Sequence, residues 1–344
     1  MQIQQNTLQH NHADNKISAL AACLLTVDEA SEGQRIDNFL AKTLKGVPKS
    51  HVYRILRSGE VRVNKGRIDA SYKLLIGDIV RVPPIRLATA EKPKVHAPAT
   101  PVLESTIIFE DDALLVIDKP AGFAVHGGSG ISRGVIEQLR MERPKAKFLE
   151  LVHRLDRETS GVLMLAKKRA ALVALHEMIR NNQTDKRYLM LVAGEWTDKK
   201  KRVMLDLQKY VLPNGERRVN VVTDKAKDKY DEAQHSETIF HLKNSYIGYT
   251  LLEAQLVTGR THQLRVQLAH LGFPIVGDDK YGDFALNKAL QKKGLKRMFL
   301  HSAETNIKHP VTLEKLKLVA VLPLVLQKFT QTLKVKTSIN EKAI

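Results

Sequence analysis

At 344 residues with 43% hydrophobic content, the chain is long enough for two or three domains with packed cores, which excludes wholesale disorder. A total of 55 Lys and Arg against 37 Asp and Glu leaves a formal charge of +18 at pH 7, a balance that suits polyanionic partners, either nucleic acid or an acidic membrane face. The single cysteine, Cys23, excludes an intrachain disulfide and a cysteine-rich zinc site, and reads as a small buried apolar residue.

Residues 1–23 read as a polar, disordered N-terminal arm whose two histidines, His10 and His12, are too few for a metal tract. The apolar run from Ala19 to Val27 has the length of a secretory core. Its polar flank with a lone Lys16 is a poor leader, however, and no small-x-small cleavage site follows. No stretch approaches the ~20 apolar residues of a membrane span. The expectation is a cytoplasmic protein without a membrane partner.

Residues 24–84 form the first organised block. Ile36, Phe39, Leu40 and Leu44 fall on one helical face. Gly46 and Pro48 interrupt, Ser50 is positioned to cap a second helix carrying Val52, Ile55 and Leu56 inward, and Gly59 stops it. Val61 and Val63 alternate as a strand, Asn64-Lys65-Gly66 turns, and Gly77-Asp78 leads into a strand from Ile79 to Val82. Between Gly33 and Val95 there are 14 Lys and Arg against 5 Asp and Glu, so half of the formal charge sits in under a fifth of the chain. That concentration argues for a binding surface rather than general solubility.

Residues 85–103, with Pro93, Pro98 and Pro101, read as an extended linker. A larger domain spans 104–330, followed by a tail, 331–344. It opens with a strand at Ile107 to Glu110 and another at Leu114 to Ile117; Leu172, Leu175 and Ile179 mark a helix, and Tyr188 to Ala193 a buried strand. Strands outnumber helices, which predicts an α+β class with a large mixed or antiparallel sheet.

The most distinctive segment runs from Leu151 to Ala166. Apolar strand residues flank a polar loop in which Asp156 stands between Arg154 and Arg157. A carboxylate among guanidiniums suits a nucleophile or base. The plainer reading is a surface loop with salt bridges.

This segment, His153-Arg154-Leu155-Asp156 followed by Thr159-Ser160-Gly161, resembles the signature loop of the RluA-type pseudouridine synthases. Further matches stand in the expected order: Lys119-Pro120-Ala121-Gly122 with Val125-His126; Lys186-Arg187-Tyr188-Leu189 with Gly194; Thr258-Gly259-Arg260-Thr261-His262-Gln263-Leu264-Arg265-Val266, then Gly277-Asp278 and Tyr281-Gly282; and Leu300-His301 with His309-Pro310. The 24–84 block resembles the alpha-L RNA-binding module shared with a small-subunit ribosomal protein. The likeness covers residues 24 to about 330.

The resemblance implies a pseudouridine synthase fold and an isomerase that breaks the N-glycosidic bond of uridine, rotates the base and rejoins it through C5. No redox or net hydrolysis occurs, so no cofactor and no metal are expected. It assigns Asp156 as the carboxylate that begins the reaction, by attack at the sugar or through a glycal-forming step. Tyr188 would stack on the base and move a proton, since its phenol can do both where Phe could only stack, and Leu300 would wall the base. Arg265 is the expected partner of Asp156, with Arg260 as rival or as a phosphate contact. Extruding the uridine from its stack leaves a gap that Arg154 is placed to fill. His153 and His262 read as loop-holding hydrogen-bonders, and Trp196 as core. Lys49, Arg54, Arg57, Arg62 and Lys65 would contact RNA phosphates. Gln267, Ser302 and Glu304 depart from the family pattern without touching these roles. The implied substrate is large-subunit (23S) ribosomal RNA or its precursor particle, at three separate uridines, with the enzyme as a monomer. Two other readings stand: a synthase directed at tRNA, and a non-catalytic assembly factor on the same scaffold. Loss of the aspartate or tyrosine would favour the latter, and both are present.

Overall fold

The computed structural model describes residues 22–44, 46–85, 102–127, 133–213, 215–222 and 233–336. Residues 1–21 of the expected N-terminal arm, most of the 85–103 linker, the Gly128-Ser129-Gly130 turn and most of the C-terminal tail lie outside the described residues, and Cys23, expected in the arm, opens the first strand. The chain divides into two units, one ending at Lys94 and one beginning at Val95.

The N-terminal unit contains β1 (Cys23–Thr26), α1 (Ile36–Thr43), α2 (Lys49–Arg57), β2 (Arg62–Val63) and β3 (Ile79–Val82), its strands antiparallel in the order β1-β3-β2. Its core is made by the helical i, i+3, i+4 faces, Ile36, Phe39 and Leu40 of α1 with Val52, Ile55 and Leu56 of α2, packed on Val80 and Val82. The cap of α2 is Pro48, not Ser50. Proline's fixed φ and missing N–H suit the helix threshold, and its carbonyl accepts from the N–H groups of His51 (3.0 Å) and Val52 (3.2 Å). Cys23 is only half-buried, because β1 is an edge strand of its sheet. Lys49, Arg54, Arg57, Arg62 and Lys65 are all exposed, and none pairs with a carboxylate among the described residues.

The C-terminal unit runs β4 (Ile107–Glu110), β5 (Leu114–Lys119), α3 (Val135–Glu142), β6 (Glu150–Leu151), β7 (Ser160–Ala166), α4 (Arg169–Arg180), β8 (Asp185–Ala193), β9 (Lys200–Val211), β10 (Arg217–Val222), β11 (Gln234–Tyr246), β12 (Tyr249–Leu256), α5 (Gln263–His270), α6 (Phe284–Lys292), β13 (Leu300–Lys308), β14 (Lys315–Val319) and α7 (Leu324–Gln331). Eleven strands form one mixed sheet in the order β10-β9-β11-β12-β8-β13-β7-β5-β4, with β14 on β13 and β6 on β7. Its one parallel pairing, β7 with β13, matches Ser160 to His301 and Gly161 to Ser302.

Central strands β5 and β7 are apolar on both faces, as strands covered on both sides must be. Leu115, Ile117, Leu163 and Leu165 pack on one face with Leu139 of α3 and Leu264 and Leu268 of α5. Leu114, Val116, Val162 and Met164 pack on the other with Leu172 and Leu175 of α4. Trp196 is buried, with Phe273 edge-on at 5.0 Å between ring centroids. Among the described residues no helix is long and apolar enough to cross a membrane.

The β7–β13 junction needs a residue without a side chain. Gly161 sits at φ +111°, and a Cβ there would overlap the Ser302 carbonyl. We expect Gly161→Ala to lower stability by roughly 1–3 kcal/mol from backbone strain alone, with the overlap adding to it. A urea midpoint unchanged from wild type would contradict this account of the junction.

Candidate active site

The loop 152–159, between β6 and β7, enters a cleft of about 610 Å³ lined by Asp156, Tyr188, Leu300, Arg265, Arg154 and Arg260, among others. The loop is fixed at both ends. Val152 N–H donates to the Met164 carbonyl (3.0 Å), Thr159 N–H to that of Asp156 (3.1 Å), and Gly122 N–H to that of Arg157 (2.9 Å). Lys119, fully buried at the end of β5, donates from Nζ to the carbonyls of Pro120 (2.8 Å), Phe123 (2.7 Å) and Arg157 (3.0 Å). Burial pulls its pKa down to about 7. The three carbonyls nevertheless use all three N–H bonds of an ammonium, which a neutral amine could not supply.

Arg154 and Arg157, the two arginines beside Asp156 in sequence, are not its partners. Arg157 is exposed and pairs with Glu158 (2.9 Å), and Arg154 lies exposed at the cleft. The guanidinium that reaches Asp156 comes from 109 positions along the chain: Arg265 Nη1 donates to Asp156 Oδ2 at 3.1 Å. Arg260 instead donates from Nε to the His235 carbonyl (3.0 Å).

Arg265 is itself gripped. Its Nε and Nη2 donate to Oδ2 and Oδ1 of Asp278, both at 2.7 Å, and Nη2 also reaches Asp279 (3.2 Å). Asp278 is fully buried and further accepts from the N–H groups of Lys280 (2.8 Å) and Tyr281 (3.1 Å). Burial alone would raise its carboxyl, but the hydrogen bonds and charge of Arg265, with these two N–H groups, hold it below the usual range. Burial likewise opposes the Arg265 charge, and Asp278 and Asp156 together raise its pKa above the ordinary value.

Three neighbours complete the cleft. Tyr188, on β8, is buried; desolvation first, and then the Asp156 charge, push its phenol up to about 12, against a hydrogen bond with Ser302. Ser302 therefore touches an expected site residue, although its departure from the family pattern looked remote from the site; the β8–β13 ladder sets Ser302 opposite Tyr188. Leu300 is buried in the cleft wall. His262 has φ +54° at the head of α5, and its Nε2 lies 3.9 Å from Asp156 Oδ1. Its Nδ1 is 2.8 Å from the Tyr281 hydroxyl, which accepts from Val219 N–H (2.9 Å). The bond to Tyr281 orients the ring so that Nε2 faces Asp156.

His153 accepts the Met164 N–H on Nε2 (3.1 Å), a bond that holds the loop to β7. Gln267 accepts from Thr238 Oγ1 (2.7 Å) and donates to Ser236 Oγ (3.0 Å), tying α5 to β11. Sequence reasoning quoted Asp278 and Lys119 in motifs and gave neither a role. The available signal was their place in the motifs, Lys119 at the end of an apolar strand run and Asp278 in the Gly277-Asp278 turn.

A family model described as "RNA pseudouridylate synthase" matches residues 113–270, and one described as "S4 domain" matches residues 34–80. The chain belongs to the RNA pseudouridylate synthase family and is an isomerase with an N-terminal S4 RNA-binding domain. It is 49% identical over 329 residues to ribosomal large subunit pseudouridine synthase C of Pasteurella multocida, covering 95% of this chain and 98% of the relative. The enzyme of the same name from Escherichia coli K12 is 50% identical over 314 residues, covering 90% of this chain and 95% of the relative. Among solved structures, human RNA Pseudouridylate Synthase Domain Containing 4 is similar, with a TM-score of 0.55 and 28% identity over 68% of this chain and 95% of that one.

Two outcomes are expected. Asp278→Asn keeps the shape but removes the charge that aims Arg265, so kcat should fall about a hundredfold with KM within a few-fold. A kcat within threefold of wild type would show that Asp278 does not position Arg265. The second concerns pH. Burial lowers His153 to about 3 and His301 to about 4, against 6.5 when unfolded. The unfolded chain then binds more protons between these values, so their contribution to stability is present above pH 6.5 and is lost as pH falls toward 4. Urea midpoints measured from pH 7 to 4 should decline, and His301→Asn should flatten part of that decline.

Proposed function

We propose that this enzyme converts defined uridines of large-subunit (23S) ribosomal RNA, or its precursor particle, to pseudouridine, with Asp156 as nucleophile. One observation carries the reading. Among the described residues Asp156 is the one carboxylate lining the cleft, together with Arg154, Arg180, Lys186, Arg260 and Arg265. A cationic cleft receives a polyanion, and a lone carboxylate within it is the group available for chemistry on the sugar.

Residues 24–84 deliver the RNA in this reading, through phosphate contacts from Lys49, Arg54, Arg57, Arg62 and Lys65, and residues 104–330 perform the reaction. The extruded uracil stacks on Tyr188 against Leu300, while the exposed Arg154 fills the gap left in the RNA stack. Arg265 orients Asp156 toward the ribose. Asp156 begins the reaction by attack at the sugar or through a glycal-forming step. The C1′–N1 bond breaks with its electron pair going to the base, the freed base rotates, and C5 bonds to C1′, releasing Asp156 from the sugar on the attack route. The C5 proton is lost and N1 gains one, so that the net change is an isomerisation. Tyr188, with its phenol raised, serves as a stacking surface and O–H donor rather than as a base at neutral pH. Arg260 is left for a phosphate. The substrate assignment rests on the near full-length identity to enzymes named for the large ribosomal subunit. An enzyme with that substrate works in the cytoplasm, and a complete cleft within one chain calls for no second copy.

The test is chemical mapping of pseudouridine in large-subunit RNA from cells carrying the wild-type enzyme or Asp156→Ala. Loss of a few defined sites with the variant is expected. Loss confined to transfer RNA would keep the chemistry and reject the substrate, and no change in any RNA would reject both.

A further inference from the structure

We propose that Lys186 is an anchor for an RNA phosphodiester, the one flanking the uridine that enters the cleft; this rests on the reading of the cleft given above. Alternation along β8 places Lys186, Tyr188 and Met190 on one buried face. Lys186 is 8% exposed and lines the cleft. Its sequence neighbours are satisfied with each other on the opposite face, Arg187 Nε donating to Asp185 at 2.9 Å. Lys186 has no hydrogen-bond or ion-pair partner among the described residues. The contrast with the other deeply buried lysine, Lys119 and its three carbonyl acceptors, is sharp.

A lysine whose side chain is largely buried, with its ammonium opening on the cleft and no carboxylate or other acceptor beside it among the described residues, is placed to meet a counter-charge in the liganded state. Burial alone pulls the Lys186 pKa down, with no carboxylate opposing it. The Thr258–Arg260 turn passes beside it at Gly259, where a Cβ would lie 3.8 Å from Nζ, so the residue there leaves the ammonium uncovered. The ligand chemistry follows from position. Tyr188 is two residues along the same strand, about 7 Å away. A molecule that stacks on Tyr188 and reaches Lys186 must carry an anion within one nucleotide of its base. Uracil and ribose are neutral, so the anion of an RNA strand at that distance is its phosphate.

The test uses an RNA fragment bearing the mapped uridine, with a neutral methylphosphonate replacing the phosphate on its 5′ or its 3′ side. With the unaltered enzyme, one of the two replacements should weaken binding about tenfold. With Lys186→Met the same replacement should have no further effect, and the slope of log Kd against log salt should drop by about 0.7, the value for one phosphate on a single strand. Lys186→Arg should retain most of the affinity. If neither replacement weakens binding to the unaltered enzyme, or if the losses from Lys186→Met and the replacement add, the inference is overturned. Should Lys186→Met fold poorly, Lys186→Gln makes the same comparison, and losses that add there assign the phosphate to another cation of the cleft such as Arg260 and overturn the inference. Pseudouridine formed in the same samples reports separately on the substrate reading, since binding is read whether or not turnover occurs.

Discussion

The cleft depends on one buried interaction, the two-point grip of Asp278 on Arg265. A guanidinium at 4% side-chain exposure is stable only with its N–H groups matched, and Asp278 matches two of them in the planar fork geometry that arginine presents. That leaves Nη1 aimed at Asp156. A lysine could supply the charge but not the direction. Breaking a buried pair of this kind by removing one partner typically costs about 3–5 kcal/mol, so the arrangement also welds the 277–281 turn to α5.

The head of α5 is held in place by a chain of polar groups with every member partnered. Gln263 accepts from Thr258 Oγ1 and Arg260 N–H, both at 2.9 Å, and donates to the Glu237 carbonyl (3.0 Å) and Thr238 Oγ1 (2.9 Å). Thr238 then donates to Gln267, which donates to Ser236, which donates to the Leu205 carbonyl. Such a chain is rigid because each bond polarises the next, and any unpaired member would carry the full penalty of burial. It fixes the turn on which His262 and Arg265 lie three residues apart, one helical turn that presents both to Asp156.

Much of the fold was legible because it rests on periodicity. The faces of α1, α2 and α4 and the strands at 107–110 and 114–119 are written in i, i+3, i+4 spacing or in short apolar runs. The capping of α2 was misread because serine's side-chain preference was weighed above proline's fixed backbone. At the site, the family motifs brought Asp156, Tyr188, Arg265 and Leu300 into one list, and these residues meet in one cleft. The pairing of Asp156 with Arg265 was legible through the family motifs alone, and not from the residues beside Asp156. Local sequence offered Arg154 and Arg157 to Asp156, whereas pairing is decided by which strands lie side by side, and the β7–β13 and β8–β13 neighbours are over a hundred residues apart. Ser302 was set aside for the same reason: its contact with Tyr188 exists only across a ladder.

The proton inventory of the cleft narrows what each group contributes. Tyr188 is raised to about 12 and keeps its proton at neutral pH. His262 is lowered, by burial first and then by the Arg265 charge against the pull of Asp156, and so is neutral at pH 7. The Tyr281 hydroxyl, hydrogen-bonded to Nδ1, orients the ring with Nε2 toward Asp156. Arg265 is the donor that reaches the carboxylate, and among the described residues lining the cleft the positive charge comes from Arg154, Arg180, Lys186, Arg260 and Arg265. Donors that are already oriented need no reorganisation when charge shifts between carboxylate, sugar and base. Lys119, outside the cleft, serves the same end by tying the carbonyls of 120, 123 and 157 to one point, so that the loop bearing Asp156 cannot drift from the guanidinium that aims it.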